Sequence, residues 1–457
     1  MSAARNQQAQ KTAAVVGAGW AGCSAAVELA RAGYAVTLFE AARTLGGRAR
    51  AVDHNGKRID NGQHILLGAY RETLRLLREV GIDRGKALLN LPLQMRYPPG
   101  AGGMDFVAPR LPAPLHLGVA LVRAKGLSFD DKMALARFST TARWMGWRMH
   151  NDCTVSELLE RFDQTPRLIA LMWRPLCLAA LNTPPERASA QVFLNVLRDS
   201  LGARRRASDM LLPRVDLSAL FPAAAAAYIL ARGGAVRTGV KIDRVLQEQG
   251  RLSVGDSAET PDAASSFDVA VLACGAPASA GLLAKLGEEA LAGLLAQFAY
   301  EPITTVYLQY APATRLALPM YALLDDPARG HWGQFVFDRG QLDAAQAGLL
   351  AVVISAADAA ASLERKALAS AVAAQLASVL QRDELASPSW TQVITEKRAT
   401  FACSPALQRP PTGTSIVGLA IAGDYTDSDY PATLESAIRS GVDAARAVRK
   451  APRQAAA

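Results

Sequence analysis

Lys11-Thr-Ala-Ala-Val-Val-Gly17-Ala18-Gly19-Trp20-Ala21-Gly22 sets the architecture of this chain. The apolar run before Gly17 is too short for a signal-peptide core and ends in glycine, so it reads as a buried strand. Cys23 to Ala32 is alanine-rich and helical; Tyr34 to Phe39 is β-branched and aromatic, a second strand. Strand, glycine turn, helix and strand within about 30 residues make a βαβ unit. In such a turn Gly17 permits the tight bend, Gly19 lets backbone approach a pyrophosphate, and Gly22 lets the helix pack on the sheet. Ala18, Trp20 and Ala21 complete the loop. The helix N-terminus behind it offers free N–H groups and a positive dipole end to phosphate. Glu40 ends the second strand 18 residues after Gly22, with Ala41 beside it. An acid at that place accepts from ribose hydroxyls and disfavours a 2′-phosphate, so a dinucleotide is the expected ligand.

The rest of the chain is too long for one core: 457 residues suggest two or three domains at about 150 residues each. Half the residues are hydrophobic and 20% are charged, a globular composition. Cys23, Cys153, Cys177, Cys274 and Cys403 are scattered and odd in number, which fits a reducing cytoplasm better than a disulfide framework. Five histidines with no pair at i, i+4 make a metal site unexpected. No stretch reaches the ~18 apolar residues of a membrane span. The net charge of +9 lacks the aromatic-interleaved basic clusters of RNA binders, so no nucleic-acid partner is expected. Residues 111 to 150 hold six basic and two acidic side chains among Leu, Val, Phe129, Phe138, Trp144 and Trp147. That stretch suits peripheral contact with an anionic membrane, at the inner face of the cytoplasmic membrane; a solvated helix with its tryptophans in the core is the competing reading.

Further signals lie far apart. Thr73 to Val80 and Ala223 to Ala231 are helical, and Ala235 to Val240 and Ile242 to Gln247 are strands. Phe267 to Ala273 is an apolar strand entering Cys274-Gly275-Ala276-Pro277. Ser415 to Ala422 is a last strand, and Ala432 to Arg449 a last helix. Gly100-Ala-Gly102-Gly103 follows two prolines and not a strand, so it reads as a turn. With no second nucleotide fingerprint, the sequence names no electron donor. The expected fold class is α/β. A Rossmann-like nucleotide domain is built discontinuously from 11–95, 205–285 and 395–450. A mixed α+β substrate domain is inserted as 96–204 and 286–394.

Leu45-Gly46-Gly47-Arg48 brings backbone near the ligand again and adds a forked guanidinium for phosphate. Near the end stand Ala422-Gly423-Asp424-Tyr425 and Ala432-Thr433-Leu434-Glu435-Ser436-Ala437, leading to Gly441. Together these resemble the FAD-dependent amine oxidase and carotenoid desaturase superfamily. The resemblance implies FAD as cofactor. It places Gly423 and Asp424 at the ribityl and phosphate side, Thr433 and Leu434 on a helix aimed at the flavin ring, and Val240 against adenine.

Three other stretches narrow the resemblance: Asp60-Asn-Gly-Gln-His64 to Tyr70, Trp173 to Val192, and Ser208 to Pro222. With the Gly-Trp-Ala-Gly turn they resemble the hydroxysqualene dehydroxylase family of hopanoid synthesis, from about residue 13 to 447. That implies reductive removal of an allylic hydroxyl from a long isoprenoid, hydroxysqualene, inside an apolar tunnel. The runs Leu168 to Trp173, Leu176 to Leu181 and Val192 to Leu194 could wall the tunnel, though most of such side chains are ordinary core. The leaving oxygen needs a proton, and the candidate acids are His64, Asp60 and Asp216. His64 has an unperturbed pKa near neutrality, but packing in the core or against the flavin is the favoured reading for it; for Asp60 and Asp216 the favoured reading is a structural cap or pair. Two alternatives stand. One is another superfamily oxidoreductase: a carotenoid desaturase, protoporphyrinogen oxidase or amine oxidase, the last needing an aromatic cage for which Tyr425 offers one side. The other is a lipid-escorting protein without redox chemistry, against which the intact Gly19, Glu40, Arg48 and Asp424 argue.

Overall fold

The computed structural model describes residues 10–54, 56–256 and 265–450; the polar first nine residues lie outside them. A five-stranded, all-parallel sheet carries the βαβ unit. Its order is Ala235–Thr238, Ala35–Glu40, Thr12–Val16, Val269–Leu272, Leu419–Ile421. Three distant parts of the sequence thus share one sheet. The inner strands are apolar on both faces because both faces are covered, the normal condition of parallel sheets. The edge strand Ala235–Thr238 is the half-exposed one. The first helix, Trp20–Arg31, starts three residues earlier than the sequence suggests, so Gly22 lies inside it. The last helix, Leu434–Lys450, packs against it: Ser24 Oγ donates to Ile438 O at 3.0 Å.

A second five-stranded sheet is wholly antiparallel: Met320–Ala322, Phe335–Asp338, Leu349–Ser355, Tyr300–Gln309, Trp390–Phe401. Its register shifts between Glu301 and Ile303, where Pro302 has no N–H to give the ladder. The helix Arg365–Leu380 covers its outer face. The strand Trp390–Phe401 runs across the boundary expected at 394/395, because its pairing with Tyr300–Gln309 continues to Phe401.

Residues 92–205 are mostly helical, as their pattern suggests, with one hairpin, Gln94–Arg96 and Asp105–Val107. Its loop holds Gly100 and Gly102 at φ +84° and +69°, a turn. Further on, Ile169–Trp173 is a π-helical turn directly before Arg174–Leu181. Pro175 is the cause: it offers no N–H to Leu171 O, and its ring crowds that carbonyl. Tyr97 donates its hydroxyl to Leu171 O at 2.8 Å instead, so the carbonyl is not left unpaired.

Candidate active site

One cavity of about 1330 Å³ reaches both sheets. Its lining falls into three groups by the elements that supply it. The parallel sheet gives Gly17, Gly19, Glu40, Gly47 and Val240. A polar group comprises Arg48, Asn61, His64, Tyr300, Glu396 and Asp424. The helices of 115–201 and the antiparallel sheet give an apolar group that includes Leu121, Leu135, Phe138, Met172, Leu176 and Phe335. Of the apolar runs proposed from sequence, Met172, Trp173, Leu176 and Leu178 face the cavity, while Leu168, Leu171, Leu181 and Phe193 fill the core.

The glycine turn separates into two kinds of requirement. A Cβ on Gly17, at φ +101°, would lie 2.7 Å from Ala273 O, and one on Gly22 would lie 1.8 Å from Gly17 O. Those glycines are demanded by the protein's own packing. A Cβ on Gly19 would meet nothing nearer than Gly47 Cα at 4.0 Å and would extend toward the cavity. Gly19 is also the N-cap of a helix that no side chain caps. Glu40 fixes the loop from below: its carboxylate accepts from Ala18 N at 2.7 Å and from Ala42 N at 2.9 Å. Lone pairs remain for a ligand, since a carboxylate can accept about four hydrogen bonds. Trp20, Ala21 and Ala41 line the cavity too. Ala18 and Gly22, expected beside a cofactor, do not: the first is held by Glu40 and the second is pressed on Gly17.

Arg48 joins three segments. It donates to Asp424 Oδ1 at 2.6 Å and to Ala399 O at 2.6 Å, so the Gly46-Gly47-Arg48 turn, the C-terminal Gly423-Asp424 and the strand Trp390–Phe401 meet on one guanidinium. Thr433 and Leu434 open the last helix at the cavity wall. Glu435 pairs with Arg439 in its own helix at 2.7 Å and also reaches a second helix. Its carboxylate accepts from Glu72 N, Thr73 N and Thr73 Oγ1 at 3.1, 2.9 and 2.7 Å, capping the helix Arg71–Glu79. Tyr425 is buried, and its hydroxyl is committed to Cys274 O, Ala422 O and Ser279 Oγ. Its ring lies against Gly423, where a Cβ would come within 2.1 Å of it.

The three expected acids are not brought together. His64 lines the cavity, but burial pushes its pKa down to about 4, and the charge of Arg48 adds to the effect. The imidazole is therefore neutral at neutral pH, and the expectation of a proton-ready histidine is corrected. Asp60 is buried off the cavity. Burial pushes its carboxyl up to about 6, against the pull of Arg339 at 4.0 Å and of the Leu217 N–H it accepts at 2.8 Å. Asp216 also lies off the cavity. It caps Leu217–Leu220 through Ala219 N and pairs with Arg58 at 2.9 Å. Burial works to raise its pKa, but Arg58 and the N–H donors outweigh it and hold the carboxyl low. Both aspartates hold the chain around residues 58–60 to the segment at 216–219.

Sequence reasoning missed Tyr300, Glu396, Arg398 and Thr400, all on the cavity wall. Asn61 Nδ2 donates to Glu396 Oε2 at 3.4 Å, and Arg398 N to its other oxygen at 3.3 Å. No pattern marks them: Thr395 to Arg398 is polar at every position, so alternation does not separate the two faces of the strand.

With this geometry in place, comparison with known proteins is direct. The family described as flavin containing amine oxidoreductase matches residues 20–449. The chain belongs to that family. A hydroxysqualene dehydroxylase of Rhodopseudomonas palustris is 30% identical over 97% of this chain and 99% of its own length. A zeta-carotene desaturase of Synechocystis is 24% identical over 95% of this chain and 96% of its own. Among solved structures, an oxidoreductase from Methanosarcina mazei superposes with a TM-score of 0.69 at 17% identity, covering 95% and 99% of the two chains. That likeness concerns the fold.

Within the flavin-containing amine oxidoreductase family this chain is a flavin-dependent oxidoreductase. Its residues fit such a group. Gly19 faces open space beside an uncapped helix, Glu40 has spare acceptors, and Arg48 and Asp424 stand together on the wall. Val240 donates its N–H to the backbone oxygen of Glu40 at 3.0 Å and lines the same cavity.

Proposed function

We propose that this chain binds FAD and reductively removes the hydroxyl of hydroxysqualene to give squalene, in hopanoid synthesis. One observation carries the reading: a single cavity joins a dinucleotide-type turn to an apolar chamber. The similarity to hydroxysqualene dehydroxylases over nearly the whole chain supports it. In the reaction a C–O bond breaks, a C–H bond forms and the oxygen leaves as water, so one hydride and one proton are consumed. Bound, reduced FAD supplies the hydride.

The chain does the rest. Gly19, the uncapped helix and Arg48 receive the phosphates, and Glu40 takes the ribose. Apolar walls bind the isoprenoid and exclude water, which strengthens every charge interaction at the reacting carbon. Neutral His64 orients the hydroxyl by a hydrogen bond. Glu396, one of the carboxyls on the cavity wall and tied to Asn61 at 3.4 Å, is assigned to pass on the proton that leaves with the oxygen. The five cysteines are all free, which supports a reducing, cytoplasmic setting.

A second reading, desaturation of a polyene by the oxidised enzyme, is favoured by the similarity to zeta-carotene desaturase. Two incubations separate the readings. Hydroxysqualene with anaerobically reduced enzyme should yield squalene, and a carotene with oxidised enzyme should be unchanged. The opposite pair of outcomes establishes the desaturase.

A further inference from the structure

The helices Leu115–Arg123 and Phe129–Trp144 turn apolar side chains to solvent. Leu115 is 60% exposed, Val122 74%, Phe129 76% and Trp144 87%. Among the described residues, six of the ten exposed large hydrophobics fall within 111–144, although exposed apolar residues are ordinarily scattered singly. Along the second helix, positions 129, 133, 137, 140 and 144 recur at helical spacing, and all five are exposed. Phe129, Met133 and Trp144 thus form an outward stripe, while Ala134, Leu135, Phe138 and Ala142 enter the core. Positions 115, 118 and 122 make the matching stripe on the first helix. Lys132 Nζ donates to Val122 O at 2.9 Å and holds the helices side by side.

Charge surrounds this apolar centre. Arg123, Lys125, Arg137, Arg143 and Arg148 are exposed, and none forms an ion pair among the described residues. The same two helices wall the cavity through Leu115, Leu117, Leu121, Leu135 and Arg143. Leu115 belongs to both surfaces, so the cavity reaches the outside beside the patch.

We propose that this face rests on an anionic bilayer. The apolar stripes sit among the acyl chains, the unpaired cations meet lipid phosphates, and the mouth beside Leu115 opens to the hydrocarbon. A second copy of the chain is the poorer occupant, because pairing two such faces would bring like charges together. The lipid contact stands on the patch alone. The use of the mouth for substrate rests on the isoprenoid reading above.

The test is cosedimentation of the flavin-bound protein with phosphatidylcholine vesicles, with and without phosphatidylglycerol. Wild type is compared with Phe129→Ser/Trp144→Ser and with Arg123→Gln/Arg137→Gln. Neither pair lines the cavity, and flavin absorbance checks that each variant folds. Wild type should bind phosphatidylglycerol vesicles. The aromatic pair should bind at least about 10-fold more weakly, and the arginine pair should lose most of the salt-sensitive part. Undiminished binding by the aromatic pair, or no binding by wild type, overturns the proposal. So does a wild-type dimer that the aromatic pair converts to monomer without any vesicle binding, which assigns the face to a second copy. Conversion of detergent-dispersed hydroxysqualene, measured in parallel, should be equal in wild type and the aromatic pair. Its absence in both, with vesicle binding intact, counts against the substrate reading and leaves the lipid contact standing.

Discussion

At the residue scale, Gly19 and Asp216 make the sharpest contrast. A side chain at Gly19 meets the cavity and not the protein, so Gly19→Val should fold and elute without flavin. Glu40→Ala should lower retention as well, because it removes an acceptor and frees the Ala18 and Ala42 N–H groups that it holds. Flavin absorbance per mole of protein is the measure; a fully yellow Gly19→Val contradicts the assignment. Asp216→Ala removes a helix cap and the Arg58 pair, so stability should fall by about 0.5–2 kcal/mol with the rate per bound flavin unchanged. A collapsed rate per flavin would return Asp216 to the mechanism.

His64 and Asp60 give opposite pH signs. His64 drops from 6.5 to about 4 on folding, so the unfolded chain takes up its proton first. Its contribution is complete above about pH 6.5 and is lost as pH falls toward 4. Asp60 rises from 3.8 to about 6, so its contribution is present below 3.8 and lost as pH climbs through 6. Urea unfolding between pH 4 and 7 should therefore find His64→Gln less acid-sensitive than wild type, and Asp60→Asn more so. Equal slopes would mean that burial does not perturb these groups. Gly17, Gly19 and Gly47 were legible because a backbone turn constrains residue type locally; Glu40 was placed by its spacing from that turn, and Asp424 by the family resemblance. The structural roles expected for Asp60 and Asp216 hold, but their partners could not be named from the sequence because they lie 157 and 158 positions away.

At the scale of elements, the parallel sheet could be anticipated from strand–glycine–helix grammar, and the antiparallel one only in pieces. Trp390–Phe401 escaped because its face is polar, and a strand that walls a site with Glu396, Arg398 and Thr400 carries no hydrophobic alternation. At the π-helical turn Ile169–Trp173, Pro175 is local, but the partner of the carbonyl it frees, Tyr97, lies more than 70 residues upstream and could not be named from the sequence. The contact between the first and last helices yields the prediction at this scale. A Cβ on Gly441 would lie 2.0 Å from Ser24 Oγ and 2.1 Å from Ala21 O. Gly441→Ala should therefore drive the helices apart, at a cost of about 1–3 kcal/mol, and weaken flavin retention, since both helices begin at the cavity. Gly281→Ala, in a helix with open space around it, should do neither. A Gly441→Ala protein as stable and as yellow as wild type would show that the helices do not pack this closely.

At the scale of the whole molecule, the central claim is that a flavin and a long isoprenoid meet in one cavity and that electrons run toward the substrate. Single-turnover oxidation tests it most directly. The enzyme is reduced chemically under anaerobic conditions and mixed with hydroxysqualene, while flavin absorbance and product are followed together. The account predicts that flavin absorbance returns in step with formation of one squalene per flavin. It further predicts that Glu396→Gln slows this step by about 10²–10⁴-fold at full flavin occupancy, the usual contribution of a general acid. Reduced flavin that persists with hydroxysqualene intact, in a protein that holds its flavin, would contradict it.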